Sequence, residues 1–166
     1  MKKYFAMSAA VLTIAMASAG AMAAGTTSTT FEARLVIKAD CMFNSTAPQA
    51  LDFGTVPLLD TAIDGTTELA VTCSKTTPYK INLNAGTATG STVAQRLLKG
   101  AGVETVNYNI YKDNAHTQVW GETAADSQAG VGTGAEQKFT LYGQAPVQAT
   151  PAPDTYVSTL TATLEF

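Results

Sequence analysis

Charged side chains are scarce in this 166-residue chain. Asp, Glu, Lys and Arg make up 14% of it, and the 13 acidic side chains outnumber the 10 basic ones. A nucleic-acid-binding domain of this size normally carries a basic stripe, and the sequence has none. So low a charged fraction also argues against a coiled coil or a long solvated helix. We therefore expect no nucleic acid among the partners of the protein.

Histidine and cysteine are also scarce, with one His and two Cys in the chain. A zinc site of the usual Cys/His kind needs four such ligands and cannot be assembled here. The one histidine, His116, follows Asp113 and Asn114 in a polar run, which indicates a solvated turn. Without a Ser-His-Asp setting, nucleophilic hydrolysis has little support. The sequence therefore predicts no catalytic residue, no cofactor and no metal site.

Three further patterns have a weak functional interpretation and a stronger structural one. Residues 130–134, Gly-Val-Gly-Thr-Gly, are similar to a phosphate-binding loop, but no buried strand precedes them and no helix follows, which favours a hairpin loop. Trp120 could line a glycan site, although core packing or a contact between subunits is the preferred interpretation. A short stretch holds four carboxylates without the spacing of a calcium loop: Asp52, Asp60, Asp64 and Glu68.

The first 23 residues have the layout of a secretory signal peptide. Lys2 and Lys3 supply positive charge, residues 5–19 are apolar or small, and residues 21–23, Ala-Met-Ala, fit the small-x-small rule for cleavage. We expect cleavage after Ala23. An uncleaved membrane anchor is the alternative, which the shortage of Leu, Ile and Val in this segment disfavours.

Export places the two cysteines, Cys41 and Cys73, in an oxidising compartment, where an even count indicates a disulfide. Two cysteines allow only one pairing. The wide spacing excludes a CxxC redox pair, and a catalytic cysteine would have no base in the sequence other than His116. In the chain-entropy relation, closing a loop of this length stabilises the fold by about 3–4 kcal/mol.

Alternating polar and apolar residues predict strands along most of the chain after Ala23. Threonine, a β-branched residue that favours strands and turns, occurs 25 times in this part. The alternation covers six segments: 31–38, 69–73, 79–84, 106–111, 138–142 and 156–166. Turns such as Asp64-Gly65 separate the segments, so we predict one domain with an antiparallel β-sandwich fold. Residues 95–99 could form a brief helical turn.

The first and last of these strands are unusual because of their positions. The first follows a polar leader, and its apolar face consists of Phe31, Ala33, Leu35 and Ile37. The last ends on the final residue, and its apolar face consists of Tyr156, Leu160, Ala162, Leu164 and Phe166. A sandwich whose final strand has no successor can have an open edge, which is an aggregation hazard unless something covers it. The N-terminal strand is a candidate cover, folding back on its own domain or pairing with the next molecule.

The order of several segments resembles the spore coat protein U domain family, which includes subunits of archaic chaperone–usher pili. The resemblance covers nearly the whole chain after the predicted cleavage site. It rests on the region around Cys41 and on LDFGTVP (51–57), LAVTCS (69–74) with PY (78–79), YNIYKD (108–113), WG (120–121), YGQAP (142–146) and PDTY (153–156) with the alternating end. No single segment is specific, whereas their order in one exported domain that ends on an aromatic residue is.

The resemblance implies an all-β, immunoglobulin-like antiparallel β-sandwich that lacks its last strand and is completed by donor-strand exchange. In such pilins the N-terminal extension of a neighbour fills the gap. A periplasmic chaperone fills it beforehand, and an outer-membrane usher catalyses the exchange. The implied partners are therefore copies of the chain or related pilins, the chaperone and the usher. The implied location is the cell surface, reached through the periplasm, with roles in attachment and biofilm formation.

Carried over to this sequence, the resemblance divides the chain into a signal peptide (1–23), an N-terminal extension with the donor strand (24–38) and a pilin domain (39–166). The donor face is assigned to Phe31, Ala33, Leu35 and Ile37. The groove edge that the chaperone or the donor strand would bind is assigned to Leu160, Ala162, Leu164 and Phe166. The segment before Cys41 could also hold part of the domain's own first strand.

The main hypothesis is a structural, non-enzymatic subunit of a surface fimbria. Two alternatives stay open. One is a self-contained exported coat or ligand-binding domain whose N-terminal strand pairs within its own chain. The other is a small secreted enzyme, which needs convergent acid–base residues in a pocket. Carboxylate pairs of that kind cannot be judged from sequence, because their separation is spatial.

Overall fold

The computed structural model describes residues 24–44 and 50–166, so the predicted signal peptide and its cleavage site lie outside the described residues. The chain divides into two compact units, residues 1–35 and residues 36–166. Residues 24–35, the described part of the first unit, form no strand and are exposed throughout. The described ranges contain no helix that is long and apolar enough to cross a membrane.

The second unit is built from eight strands in two antiparallel sheets. The strands are β1 (Cys41–Phe43), β2 (Ile63–Cys73), β3 (Pro78–Leu83), β4 (Arg96–Lys99), β5 (Thr105–Tyr111), β6 (Gln128–Val131), β7 (Glu136–Ala145) and β8 (Ala162–Glu165). One sheet has the order β1-β2-β7-β5-β4, and the other has the order β6-β3-β8. The predicted antiparallel β-sandwich is therefore confirmed.

The core lies between the two sheets, where the period-2 alternation sends every second side chain inward. Val71 of β2, Ile81 of β3 and Tyr108 of β5 are among the most buried side chains. Trp120 is 1% exposed and donates its indole N–H to the carbonyl oxygen of Ile81, at 2.9 Å. Its ring meets Phe139 edge to face, with 6.4 Å between the ring centres. The interpretation of Trp120 as a core residue is confirmed.

Two local predictions were wrong, and tertiary pairing is the reason in both cases. Residues 96–99 form strand β4 instead of a helical turn, because they pair with β5 from Arg96↔Tyr108 to Lys99↔Thr105. The glycine-rich run at 130–134 is not a hairpin loop. β6 pairs with β3 and β7 pairs with β2, so the chain crosses there from one sheet to the other.

A buried arginine ties the two sheets together. Arg96 of β4 is fully buried, and its guanidinium donates to the side-chain oxygen of Asn109 at 2.6 Å. It also donates to the carbonyl oxygens of Asn84 at 2.9 Å, Leu83 at 2.9 Å and Trp120 at 2.7 Å. Burial lowers the pKa of Arg96, and nearby Tyr108 and acidic groups act against this shift. A guanidinium stays charged in proteins, so a cation held by carbonyl dipoles joins β4 to the end of β3.

Two paired glycines make room for a segment that covers one end of the core. Gly65 of β2 lies opposite Gly143 of β7, and both face inward. Leu51 and Phe53 occupy the space above them: a Cβ at Gly143 would lie 2.6 Å from Leu51 Cδ2 and 3.0 Å from Phe53 Cζ. A Cβ at Gly65 would lie 2.8 Å from the backbone oxygen of Asp52. The absence of side chains at these two glycines therefore leaves a gap on the inner face of the sheet, and residues 51–53 fill it.

A side chain added at this glycine pair should destabilise the fold, because it would compete with residues 51–53 for the same space. We expect Gly65→Ala to lower the free energy of unfolding by about 1–3 kcal/mol, because the methyl group meets a backbone oxygen that cannot rotate away. Gly102→Ala is the matched control, since no atom lies within 4 Å of the added methyl position. Urea unfolding of the two variants measures the difference. Equal stabilities would show that residues 51–53 are not packed on this glycine pair.

Candidate functional site

A groove of about 920 Å³ opens between the two sheets. Both sheets contribute apolar side chains to its lining, namely Leu69 of β2, Leu83 of β3, Val106 and Ile110 of β5, Leu141 of β7 and Ala162 of β8. Residues 50–57 and 150–160 complete the lining. The cleft therefore reaches into the hydrophobic core, where an occupant would meet mainly apolar surface.

Strand β8 forms one edge of this groove. It pairs with β3, from Lys80↔Glu165 to Leu83↔Ala162, and within the described ranges no strand pairs with its other edge. An unpaired edge presents backbone N–H and C=O groups to any extended chain that approaches it. The groove thus has an apolar floor and meets the unpaired edge of β8 at Ala162, the β8 residue in its lining.

The residues assigned to the groove edge have different environments. Leu160 and Ala162 line the groove, and both are half-buried. Leu164 is half-buried against the core and is not part of the lining. Phe166 is 59% exposed. The structure therefore brings two of the four residues to the groove and leaves the other two beyond its lining.

The segment before β8 forms a fixed wall of the groove. Val157 exchanges two backbone hydrogen bonds with Lys99 of β4, at 2.9 Å and 3.0 Å. Four residues later, Thr161 accepts a backbone bond from Asn84 at 3.1 Å and donates its own N–H to the Asn84 side chain at 2.9 Å. The chain therefore crosses from the edge of one sheet to the edge of the other along residues 157–161.

The residues assigned to the donor face are all solvent-exposed. Phe31 is 89% exposed, Leu35 is 84% exposed and Ile37 is 80% exposed, and Ala33 is exposed as well. Residues 24–40 belong to no strand, although residues 31–38 have the alternation of one. An extended segment needs a neighbouring strand to satisfy its backbone groups, so alternation alone does not fix it. Contiguous exposed apolar side chains of this size mark an interaction surface.

A disulfide joins Cys41 to Cys73, as the cysteine count predicts. The two residues lie directly opposite each other in the pairing of β1 with β2. Next to it, the backbone N–H of Ser74 donates to the carbonyl oxygen of Asp40 at 2.9 Å, and the Ser74 hydroxyl donates to that of Lys38 at 3.2 Å. These bonds fix the point at which residues 38–40 enter the sandwich.

His116 is less exposed than the sequence predicts. It lies in the predicted turn, with a left-handed φ of 54°. Its side chain is only 15% exposed and packs edge to face on Tyr111, with 5.1 Å between the ring centres. Its Nδ1 lies 3.0 Å from the amide nitrogen of Gln144, which also donates to Asp64 at 3.0 Å. The histidine is part of a polar cluster on the outer face of the larger sheet.

The carboxylates that lie close together in sequence have separate local partners. Asp52 accepts from the backbone N–H of Gly54 at 2.8 Å, and Glu68 lies 3.6 Å from the ammonium of Lys138. Across residues 24–44 and 50–166, no group of three or more His, Cys, Asp or Glu side chains is placed to hold a metal ion.

Two groove residues were missed by the sequence analysis. Tyr108 and Ser158 line the groove, and the hydroxyl oxygens of both are buried with no hydrogen-bond partner among the described residues other than each other. The sequence did offer one indication of Ser158: it is a polar residue at an inward position of an alternation whose other inward residues are apolar. Tyr108 gave no such signal, because inward tyrosines are ordinary core residues.

Comparison with known proteins identifies the family. The sequence model of the Spore Coat Protein U domain matches residues 27–163. The chain belongs to this family. Protein U of Myxococcus xanthus is 30% identical to this family member in an alignment of 107 residues, and the match covers 61% of this chain and 60% of that protein.

A solved structure shares the fold of this family member. It is the crystal structure of the CsuC–CsuE chaperone–tip adhesion subunit pre-assembly complex from the archaic chaperone–usher Csu pili of Acinetobacter baumannii. The TM-score is 0.56 at 24% identity, and the match covers 78% of this chain and 40% of the other. The fold is therefore an immunoglobulin-like sandwich of the pilin type. The chain spans less than two thirds of the length of either relative.

The disulfide should contribute a large part of the stability. We expect the double variant Cys41→Ala/Cys73→Ala to lose about 3–4 kcal/mol of unfolding free energy, because the unfolded chain regains the entropy of a closed loop. Chemical denaturation with and without dithiothreitol provides the measurement. The reductant should lower the unfolding free energy of the wild-type chain to that of the double variant, and it should leave the unfolding free energy of the variant unchanged. A wild-type chain that is insensitive to reductant would contradict this expectation.

Proposed function

We propose that this protein is a structural subunit of a surface fimbria and polymerises by donor-strand complementation. One observation carries the proposal: the same chain has an apolar groove beside an unpaired strand edge and an exposed apolar segment with strand alternation. In this mechanism, residues 24–38 of one subunit enter the groove of the next. The backbone of β8 supplies the hydrogen bonds, and the pockets select alternate side chains.

The energetics require both the side chains and the backbone ladder. Burying Phe31, Leu35 and Ile37 contributes about 1.5–3 kcal/mol each, or about 5–9 kcal/mol together. Ordering residues 31–38 costs about 1–2 kcal/mol per residue, or about 8–16 kcal/mol together, which matches or exceeds this gain. The ladder bonds to β8 must therefore add stability. Slow dissociation of the inserted strand would also maintain the fibre.

The proposed partners follow from the same groove. A subunit with an open apolar groove would aggregate during export, so a periplasmic chaperone is expected to occupy the groove first. The structural relative supports this step, since it is a pre-assembly complex of a chaperone with a pilus subunit. We further propose export with cleavage after about Ala23, assembly at an outer-membrane usher, and a role of the fibre in attachment and biofilm formation. No enzymatic role is part of the proposal.

A self-contained coat domain is the second candidate function. The match to the Spore Coat Protein U domain, whose name refers to a coat, is the observation that favours it. In that case the chain would be a stable monomer whose extension covers its own groove. The two candidates differ in oligomeric state, so the tests below distinguish them.

The face of the extension that enters the groove can be tested with adjacent charges. We expect Leu35→Asp to slow polymerisation of the purified chain at least about tenfold, because a carboxylate would have to be buried in the groove. Arg34→Asp is the matched control, since its side chain belongs to the opposite face of the alternation. Light scattering and electron microscopy measure fibre growth. Equal loss in both variants, or in neither, would contradict the assignment of the donor face.

A fusion tests whether the groove is open and accepts this segment. The chain starts at Asp40, and residues 26–38 are appended after Phe166 through a flexible linker. We expect a stable monomer with a melting temperature well above that of the chain starting at Ala24, because donor-strand insertion becomes intramolecular. The same fusion with Leu35→Asp is the control. If the chain from Ala24 is already a stable monomer and the fusion gains nothing, the sandwich is complete by itself and the coat-domain function is favoured.

A further inference from the structure

Several of the groove-lining residues carry a hydroxyl, and the hydroxyl oxygens of Tyr108 and Ser158 are buried. Tyr108 projects inward from β5 and is 2% exposed, and Ser158 lies at an inward position in the wall segment 157–161. Both residues line the groove, and the two hydroxyls lie close enough to interact with each other but have no other hydrogen-bond partner among the described residues. Even a bond between the two hydroxyls would use one of their two protons and leave the other without an acceptor.

The surrounding structure holds Ser158 in this position. Gly86 has a φ of +87°, and a Cβ there would lie 2.5 Å from the Ser158 hydroxyl oxygen. The backbone N–H of Thr159 donates to the hydroxyl of Thr87 at 3.2 Å, which ties the wall to the same loop. The missing side chain at Gly86 therefore leaves space for a serine hydroxyl between the loop and the groove.

The Tyr108 hydroxyl is available as a donor. Burial raises its pKa, while the neighbouring Ser158 and Arg96 act in the opposite direction. The phenol therefore stays protonated at physiological pH. A buried hydroxyl that lacks an acceptor is unfavourable, so an occupant that brings an oxygen to this position gains more than one that brings a methyl group.

The N-terminal extension carries hydroxyls on the required face. The alternation that places Phe31 and Leu35 on the donor face also places Thr27 and Thr29 on it. Backbone carbonyls of an inserted strand lie in the plane of the sheet, so an inward oxygen has to come from a side chain. Among the predicted inward positions from 27 to 37, only the two threonines have one.

We propose that Tyr108 and Ser158 form a polar subsite that selects the incoming strand by bonding a threonine hydroxyl of a second copy's extension. The selected ligand is an extended segment with a hydroxyl in line with its apolar residues. This inference rests on the proposed function and adds a specificity determinant to it. Strands with only aliphatic inward residues bind more weakly, because they leave at least one of the two buried hydroxyl protons without an acceptor.

The subsite can be tested by measuring peptide binding to a chain whose own extension cannot insert into a groove. The full chain carrying Leu35→Asp keeps its groove, and a synthetic peptide of residues 26–38 serves as the strand. Adding Tyr108→Phe should weaken peptide binding about tenfold, the effect of one hydrogen bond. The same substitution should leave the unfolding free energy of the unoccupied chain unchanged or raise it, because it removes an unsatisfied hydroxyl. A merely structural role of Tyr108 would lower stability and binding together.

Two controls complete the experiment. Tyr79→Phe also removes a buried hydroxyl without a partner, but Tyr79 is not among the groove-lining residues, so peptide binding should not change. A peptide with Thr27→Val and Thr29→Val should bind the Leu35→Asp chain about tenfold more weakly. The affinity of this valine peptide should fall little further when the chain also carries Tyr108→Phe, because the threonine and the tyrosine take part in the same hydrogen bond.

The possible outcomes separate the two proposals. If the wild-type peptide does not bind the Leu35→Asp chain at all, donor-strand complementation by this segment fails, and the subsite fails with it. If the peptide binds but Tyr108→Phe or the valine peptide binds as tightly as the wild type, the subsite alone is overturned. Coupled losses at Tyr108 and at the threonines, with no effect at Tyr79, support it.

Discussion

The free edge of β8 beside an apolar groove is the constraint on which the other features depend. A sandwich normally closes its core with a pair of fully hydrogen-bonded sheets. Here the smaller sheet has three strands, and the cleft reaches core side chains of both sheets. Exposed apolar surface next to unpaired backbone groups is costly in water, so the fold has to be held around the groove by other means.

Three contacts supply that support: one is covalent, one is polar and one is steric. The Cys41–Cys73 disulfide fastens the short strand β1 to β2, and the buried Arg96 links β4 to carbonyl groups at the end of β3. The glycine pair Gly65–Gly143 admits the 51–53 segment, which covers one end of the core. None of these three contacts involves a residue of β8. The sandwich can therefore keep its shape while the groove stays accessible.

The proposed function uses a property that would otherwise be a liability. An open groove and an exposed apolar extension in one chain would lead to aggregation if their pairing were unspecific. In the proposed mechanism, alternation along the extension would determine which side chains enter the groove, and the polar subsite at Tyr108 and Ser158 would determine which strand is accepted. Specificity would then depend on one buried polar contact within a mainly apolar interface. A strand without an inward hydroxyl would bind more weakly, because it would leave a buried hydroxyl of the subsite without an acceptor.

Much of this could be predicted from local patterns. The period of two gave the β class, the turn residues separated the strands, and two cysteines in an exported chain left a single pairing. Backbone geometry forces alternate residues to opposite faces, so these features can be inferred from residues that are close in sequence. The same rule identified the inward positions of Leu160 and Ala162 near the end of the chain.

The remaining features depend on contacts between distant residues, which no local pattern encodes. Residues 96–99 became a strand because β5 was available to pair with them, and the glycine-rich run became a crossover because β6 and β7 joined different sheets. The burial of Arg96 and the meeting of Tyr108 with Ser158 likewise require three elements to converge. The sequence by itself determined which residues face inward, and only the tertiary structure decided which of them meet, because their partners lie far away along the chain.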